Sequence, residues 1–264
     1  MQKLITYINF NNKQYNTRYF NNIFEKDNNK LLKISNCEYG NDIIEKECFF
    51  YKYHELHYSH IPKIYEYGKN FFIMEKILDT KQVIEKFNIS LQSTQFEIIK
   101  NCLKIVETLH NIKTIEIEND IFMKDINIEF NKKIILRLNK INPILQYFSF
   151  IKKINNVEIK ILHTDIIKHL SKKIKDFFKE NITHYCTIHG DSHLSNILID
   201  ENNKYYLIDP RGYFGETSIF GINYYDIGKI LYSLSGFDEI NNRKNHFFII
   251  EGDNIIVNIN NNMD

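Results

Sequence analysis

Three oxygen-bearing side chains stand at telling intervals between residues 188 and 215: Asp191, Asn196 five residues later, and Asp209. Asp191 follows His189-Gly190 at a turn. Asn196 is followed by the apolar run Ile197-Leu198-Ile199, and Asp209 ends a second run, Tyr205-Tyr206-Leu207-Ile208, with a polar stretch between the two. Two short β-prone runs joined by a polar loop predict a hairpin. An acid and an amide on its entry and an acid at its exit then converge on one end. Phosphoryl transfer needs such a set. One carboxylate orients the acceptor hydroxyl and takes its proton, the place of Asp191. An amide and a second carboxylate hold Mg²⁺ against nucleotide phosphates, the place of Asn196 and Asp209.

Asp and Asn are also ordinary turn residues, which leaves a purely structural hairpin open. A metallophosphatase site also uses Gly-Asp beside a His, but it needs an upstream Asp-x-His and a downstream Asn-His. No Asp-x-His precedes the motif, and Asn245-His246 is the single Asn-His after it, so that reading falls.

The pattern His-Gly-Asp-x-His-x-x-Asn, followed by Asp-Pro-Arg-Gly, resembles the aminoglycoside phosphotransferase and choline kinase family. Protein kinases carry H-R-D-x-x-x-x-N and D-F-G in the same slots. The resemblance covers about residues 15 to 236. It implies an α+β, bilobal protein-kinase-like fold, with a β-rich N-lobe holding one helix and a mainly helical C-lobe carrying the catalytic hairpin. The lobes would divide into residues 1–78, for nucleotide, and 79–264, for catalysis and acceptor. It also implies ATP and Mg²⁺, with the γ-phosphoryl group passing to a hydroxyl of a small molecule. Asp191 would be the catalytic base, with His193 near the transferred group. Asn196 and Asp209 would hold the metal, and His189 and Asp226 would support the catalytic loop. The Ile208-Asp209-Pro210-Arg211-Gly212 ending is similar to relatives associated with bacterial surface-polysaccharide synthesis, which implies a sugar or amino-alcohol acceptor. Pro210 stiffens the chain after Asp209. Arg211 then either contacts an anion of the nucleotide or acceptor, or pairs with a structural acid such as Glu216.

The elements that must position these groups begin with strands at Lys3–Phe10, Arg18–Glu25, Lys30–Ile34 and Phe71–Ile77. Lys33 interrupts an apolar strand, either on the solvent face of an edge or as the lysine that contacts the phosphates. A helix is expected from Asn41-Asp42 to about Leu56, with Asp42 and Glu45 spaced as a capping box. Ile44, Glu47 and Tyr51 share one face of it. A Glu on an inward face needs a positive partner, and Lys33 is the natural one. His54, His57 and His60 read as solvated helix-end histidines. A further strand is expected at Lys63–Tyr67. The resemblance places the hinge from residue 75, so that Glu75 and Ile77 lie beside the adenine. No glycine occurs before Gly40. Asn16-Thr17-Arg18 or Asn21-Asn22 must therefore supply the phosphate loop, since Asn tolerates a left-handed backbone.

Beyond residue 90, Thr94-x-x-Glu97 opens a core helix with Phe96, Ile99, Leu103, Val106 and His110 on its stripe. Residues 111–160 show short β-like runs such as Lys133–Leu138. Ile166, Ile167, Leu170, Ile174, Phe177 and Phe178 mark an amphipathic helix before the motif, and a last helix starts near Tyr224. Few residues follow Gly236, so the acceptor-binding part is expected to be abbreviated or supplied by residues 111–180.

Composition narrows the class. Hydrophobic residues make up 43% and charged residues 25%, as in a globular domain. Lys+Arg of 34 against Asp+Glu of 33 gives no argument for nucleic acid. Cys37, Cys48, Cys102 and Cys186 form no Cys-x-x-Cys pair and read as free thiols in a reducing compartment. The N-terminus lacks a signal-peptide pattern, and no run approaches the roughly 20 apolar residues of a membrane span. A cytoplasmic small-molecule kinase of open oligomeric state is the expectation. The alternative is a non-catalytic, kinase-like nucleotide-binding module, which the missing glycines favour and the retained Lys33, Asp191, Asn196 and Asp209 oppose.

Overall fold

The computed structural model describes residues 14–15, 19–27, 29–159, 172–173, 176–177, 184–238, 240 and 246–259. The expected strand at Lys3–Phe10, the stretch Asn16-Thr17-Arg18 and most of the expected helix before the motif lie outside them.

The first layer is an antiparallel five-stranded sheet. Its strands are β1 (Gln14–Tyr15), β2 (Asn21–Asp27), β3 (Lys30–Ser35), β4 (Ile64–Gly68) and β5 (Phe71–Glu75), in the order β1-β2-β3-β5-β4. β3 is therefore an interior strand. Lys33 pairs in register with Ile23 on one side and Phe72 on the other, and its side chain is buried, not on the solvent face of an edge. Asn21 and Asn22 are extended within β2, so neither forms the left-handed phosphate turn expected of them.

Helix α1 (Glu38–His54) packs on this sheet. It starts before the expected Asn41-Asp42, with Cys37 at its N-cap and no side-chain cap, and Asp42 lies inside it, paired with Lys46 at 2.8 Å. Gly40, Ile44, Glu47, Cys48 and Tyr51 are buried along α1, at the three- and four-residue spacing of one helical face. His54 is also fully buried, its ring 4.6 Å from that of Phe50, which corrects the expectation of a solvated histidine. Neither of its nitrogens has a hydrogen-bond partner among the described residues, and burial pushes its pKa down to about 4. His60 Nδ1 donates to the Tyr205 carbonyl at 2.7 Å, and of the three only His57 is exposed.

The chain then leaves the sheet through β6 (Thr80–Gln82), α2 (Val83–Asn88) and the long helix α3 (Gln92–His110). The buried stripe of α3 is Ile98, Cys102, Ile105, Val106 and Leu109, whereas Phe96 and Leu103 are exposed. Val106 and His110 of the expected stripe are buried and Ile99 is half-buried, but its N-terminal part is rotated by one residue, because Ile98 and Cys102 belong to the core. After β7 (Thr114–Glu116), α4 (Asn119–Asn127) passes through one wide π turn, Ile128–Lys132, into α5 (Lys133–Tyr147). Lys133–Leu138 is thus helical, not β. A short apolar run does not distinguish the two by period, and here it continues a helix already under way.

Short strands β8 (Lys153–Ile154) and β9 (Val157–Glu158) precede β10 (His184–Thr187). The expected hairpin follows as β11 (Ile197–Asp200) and β12 (Tyr205–Leu207), paired Ile197 to Leu207 and joined by β6 on the other edge. β13 (Phe220–Gly221) pairs with β10, and α6 (Asn223–Leu234) follows. The last hairpin, β14 (His246–Glu251) and β15 (Asn254–Ile259), pairs with β8. A main core joins α1, α3 and the β11–β12 hairpin. A second lies between α4, β10 and the Phe214 loop. No helix among the described residues is long and apolar enough to cross a membrane.

Candidate active site

Lys33 stands between two carboxylates. Its Nζ lies 2.6 Å from Glu47 Oε2 and 2.5 Å from Asp209 Oδ1. The sheet delivers the lysine, α1 the glutamate and the exit of β12 the aspartate, so residues 176 positions apart meet. Burial disfavours the charged lysine, but Asp209 and Glu47 outweigh it and hold the Lys33 pKa above its ordinary value. Tyr51, one turn beyond Glu47 on α1, accepts the backbone N–H of Asp209 at 2.9 Å. Asp209 adopts φ +56°, a left-handed backbone that Asp tolerates better than most residues. α1 therefore fixes both ends of the contact.

Beside this triad is a cleft of about 380 Å³. Leu31 and Met74 line it from the sheet, Leu198 and Ile208 from the hairpin, and Lys33 and Asp209 also border it. Glu75 and Ile77 line it too. The Ile77 carbonyl accepts from the Thr80 hydroxyl at 3.1 Å, and Glu75 accepts the Lys63 N–H on its carboxylate at 3.2 Å.

The loop carrying Asp191 is held from behind by Asp226. Its fully buried carboxylate accepts the backbone N–H of His189 at 2.9 Å and of Gly190 at 2.7 Å, and it meets His110 Nε2 at 3.0 Å. Burial opposes ionisation, but these partners, His110 foremost, hold its pKa below the usual value. Gly190 has φ +80°, and a Cβ there would meet the Arg211 Cβ at 2.9 Å, so the loop needs glycine at that position. His189 is kept neutral by burial and accepts the Asp191 N–H on Nδ1 at 3.3 Å.

Asp191 Oδ1 is 2.8 Å from Lys229 Nζ, and Oδ2 is 3.7 Å from His193 Nε2. Burial raises the pKa of this carboxyl, yet Lys229 and His193 bring it below the ordinary value, so it is an anion at neutral pH. His193 lies between Asp191 and the buried Asp238, 3.4 Å from its Nδ1. The amide of Asn196 donates to the Asp191 carbonyl at 2.9 Å, which fixes the side-chain orientation and leaves its oxygen as a donor atom for a metal. Among the described residues no cluster of three His, Cys, Asp or Glu forms a ready-made cage. One amide oxygen and one carboxylate fit Mg²⁺, which takes few protein ligands and completes its shell with phosphates and water.

Arg211 is engaged in the C-lobe. Its guanidinium grips Glu129 through Nη1 at 2.8 Å and Nη2 at 2.5 Å, and Nη1 also reaches the Tyr225 hydroxyl at 2.6 Å. The structural acid is Glu129 on the π turn. Glu216 pairs with Lys124 instead, at 2.5 Å.

Sequence reasoning missed Glu129, Asp238, His110 and Lys229. Lys229 left a signal, since it lies one helical turn after Asp226. Glu129 left none, because it sits 82 residues from its partner.

No protein-family model matches this sequence, and no curated protein matches it. Solved structures do match its fold. The streptomycin–ATP ternary complex of APH(2″)-IIa superposes with TM-score 0.53 at 18% identity, covering 85% of this chain and 72% of that one. Choline kinase LicA from Streptococcus pneumoniae gives 0.52 at 14% identity, covering 89% and 73%. A GDP complex of an aminoglycoside 2′-phosphotransferase gives 0.54 at 13% identity, covering 88% and 75%. The chain has the bilobal, kinase-like α+β fold of these proteins.

Proposed function

We propose that this chain is an ATP-dependent phosphotransferase that moves the γ-phosphoryl group to a hydroxyl of a small molecule. The observation that carries the reading is the meeting of Lys33, Glu47 and Asp209 at one end of a half-apolar cleft, with Asp191 and Asn196 on the adjoining loop. Residues 1–78 would form the nucleotide lobe and 79–264 the catalytic and acceptor lobe.

In this reading the adenine lies between the apolar walls of the cleft, beside the main chain from Glu75 to Ile77. Lys33, aligned by Glu47, contacts the phosphates. Asn196 and Asp209 would hold Mg²⁺, which when bound neutralises the phosphate oxygens. Asp191 orients the acceptor hydroxyl and accepts its proton. The hydroxyl oxygen bonds to the γ-phosphorus as the bond to the β-phosphate oxygen breaks, and ADP leaves. His193 fixes the Asp191 carboxylate from within. His189 and Asp226 hold the loop's backbone, and Arg211 stiffens the chain beyond Asp209 through Glu129. The structural neighbours include aminoglycoside phosphotransferases and a choline kinase. With them, a sugar or amino-alcohol hydroxyl, in surface-polysaccharide synthesis, is the acceptor class proposed.

One observation favours a second reading. No glycine precedes Gly40, so the phosphate-covering loop of an active kinase is unconventional, as in a nucleotide-binding module without turnover. Calorimetric titration with Mg-ATP, followed by ADP release over a panel of sugars and amino-alcohols, separates the two. The phosphotransferase binds Mg-ATP and releases ADP with an acceptor. The module binds and releases none.

A further inference from the structure

We propose that Lys229 selects the acceptor by charge: the site takes a hydroxyl compound bearing a carboxylate or phosphate near the reacting hydroxyl and rejects one bearing an ammonium there. The inference rests on the phosphotransferase reading and narrows its acceptor class to acidic sugars and polyols, setting the amino-alcohols aside.

Lys229 lies three residues beyond Asp226 on α6. The helix that braces the loop's backbone through Asp226 thus also delivers an ammonium to the loop's carboxylate, since residues one turn apart share a face. Its Nζ, 2.8 Å from Asp191 Oδ1, is also 5.8 Å from the ring centre of Tyr225 and 5.9 Å from that of Tyr232. Those tyrosines stand one turn before and one turn after it. The Lys229 side chain is 31% exposed and that of Asp191 17%, so the ammonium is the more exposed member of the pair.

Among the described residues, the other charges nearby are Asp209, 39% exposed and paired with Lys33, His193, held against Asp238, and groups that face inward. Arg211 is gripped by Glu129, and Asp226 and Asp238 are fully buried against the loop and α6. Lys46 lies over the Tyr213 ring at 4.7 Å, bound to Asp42. Among the described residues, the α6 side of the loop therefore offers an acceptor one partly exposed ammonium, flanked by phenol rings and paired with the acid. An ammonium on the acceptor would be placed against Lys229 at short range, where like charges cost most. A carboxylate or phosphate would bind Lys229 while Asp191 Oδ2 faces the hydroxyl.

The test uses two matched sets, glycerate with glycerol and serinol, and glucuronate with glucose and glucosamine, measuring ADP release at saturating Mg-ATP. The wild type is expected to favour the anionic member of at least one set over the cationic member by about tenfold or more in kcat/KM. Lys229→Arg should keep that order, Lys229→Met should erase it and Lys229→Glu should reverse it, with melting curves confirming that each variant folds. A merely structural lysine would leave the order unchanged. Preference for the cationic members, persistence of anion preference in Lys229→Met, or a wild type that binds Mg-ATP yet turns over no member of either set overturns the inference. Only the first two of these spare the phosphotransferase reading. Failure to bind Mg-ATP at all overturns that reading and this inference with it.

Discussion

Two cations, the buried Lys33 and the half-buried Arg211, flank Asp209 in the chain's fold and are compensated in opposite ways. Lys33 faces two carboxylates, Glu47 and Asp209, so that group carries an excess of negative charge. One of its acids, Asp209, is 39% exposed and borders the cleft. Arg211 faces one carboxylate, Glu129, which is almost wholly buried and shared with Lys133 at 3.2 Å. Burial and the neighbouring Arg211 push the Lys133 pKa down to about 8. Glu129 also accepts the Gly215 N–H and the Tyr225 hydroxyl, so its oxygens are saturated from within the chain. An acid-rich group open to a cleft is ready for a cation from outside. A saturated group closed to solvent holds the fold. The comparison teaches that a buried ion pair is read for function by what remains unsatisfied at its exposed end.

The largest effect expected is on the closed group. Glu129→Ala leaves Arg211 buried without its acid, a change that costs about 3–5 kcal/mol. Urea unfolding should show that loss, and a variant as stable as the parent would dissolve the contrast. Slightly smaller is the effect on the open group. Lys33→Ala and Glu47→Ala should each lower turnover by about 10²–10³, and the double variant should be little worse than either, because both break one unit. Additive losses in a double-mutant cycle would separate the two residues.

Acid sharpens the comparison further. Burial raises the Glu129 pKa, but Arg211 foremost, with Lys133 and the Gly215 N–H, brings it down to about 2 from 4.5. A carboxyl with a depressed folded pKa stabilises the fold above its unfolded value and loses that contribution as pH falls from about 4.5 towards 2. His54 works in a higher window. Its folded pKa is about 4 against 6.5 unfolded, so the unfolded chain takes up the proton first and stability drops as pH falls from 6.5 to 4. That loss is on the order of 2–3 kcal/mol. Melting curves from pH 7 to 4 should flatten in His54→Leu and keep their slope in Glu129→Gln. The smallest effect belongs to Arg211→Lys, which loses the two-pronged grip on Glu129. It should lower the melting temperature by a few degrees, about 1 kcal/mol, with KM for ATP unchanged. A raised KM for ATP would return Arg211 to the nucleotide.

What was legible in the sequence follows the same divide. Lys33 and Glu47 announced themselves as charges inside apolar patterns, and the hairpin by its two β-prone runs around a polar turn. Asp226 could be placed through the resemblance, and its carboxylate does hold the loop's backbone. The closed group was hidden, because Glu129 lies on a π turn and meets Arg211 only through tertiary packing. His54 was misplaced because a histidine at a helix end says nothing about the aromatic rings that cover it. On α3, Val106 and His110 stay on the buried side, whereas Phe96 and Leu103 are exposed because Cys102 packs in the core in their place.

The central claim, that Asp191 is the acceptor-orienting base of a phosphotransferase, is tested most directly by Asp191→Asn in an ADP-release assay with a turned-over acceptor, paired with calorimetric binding of Mg-ATP. The substitution keeps shape and removes charge. Turnover should fall by about 10²–10⁴, the range for a positioned general base, while Mg-ATP binds as before. Turnover close to the parent's, with binding intact, would contradict the account.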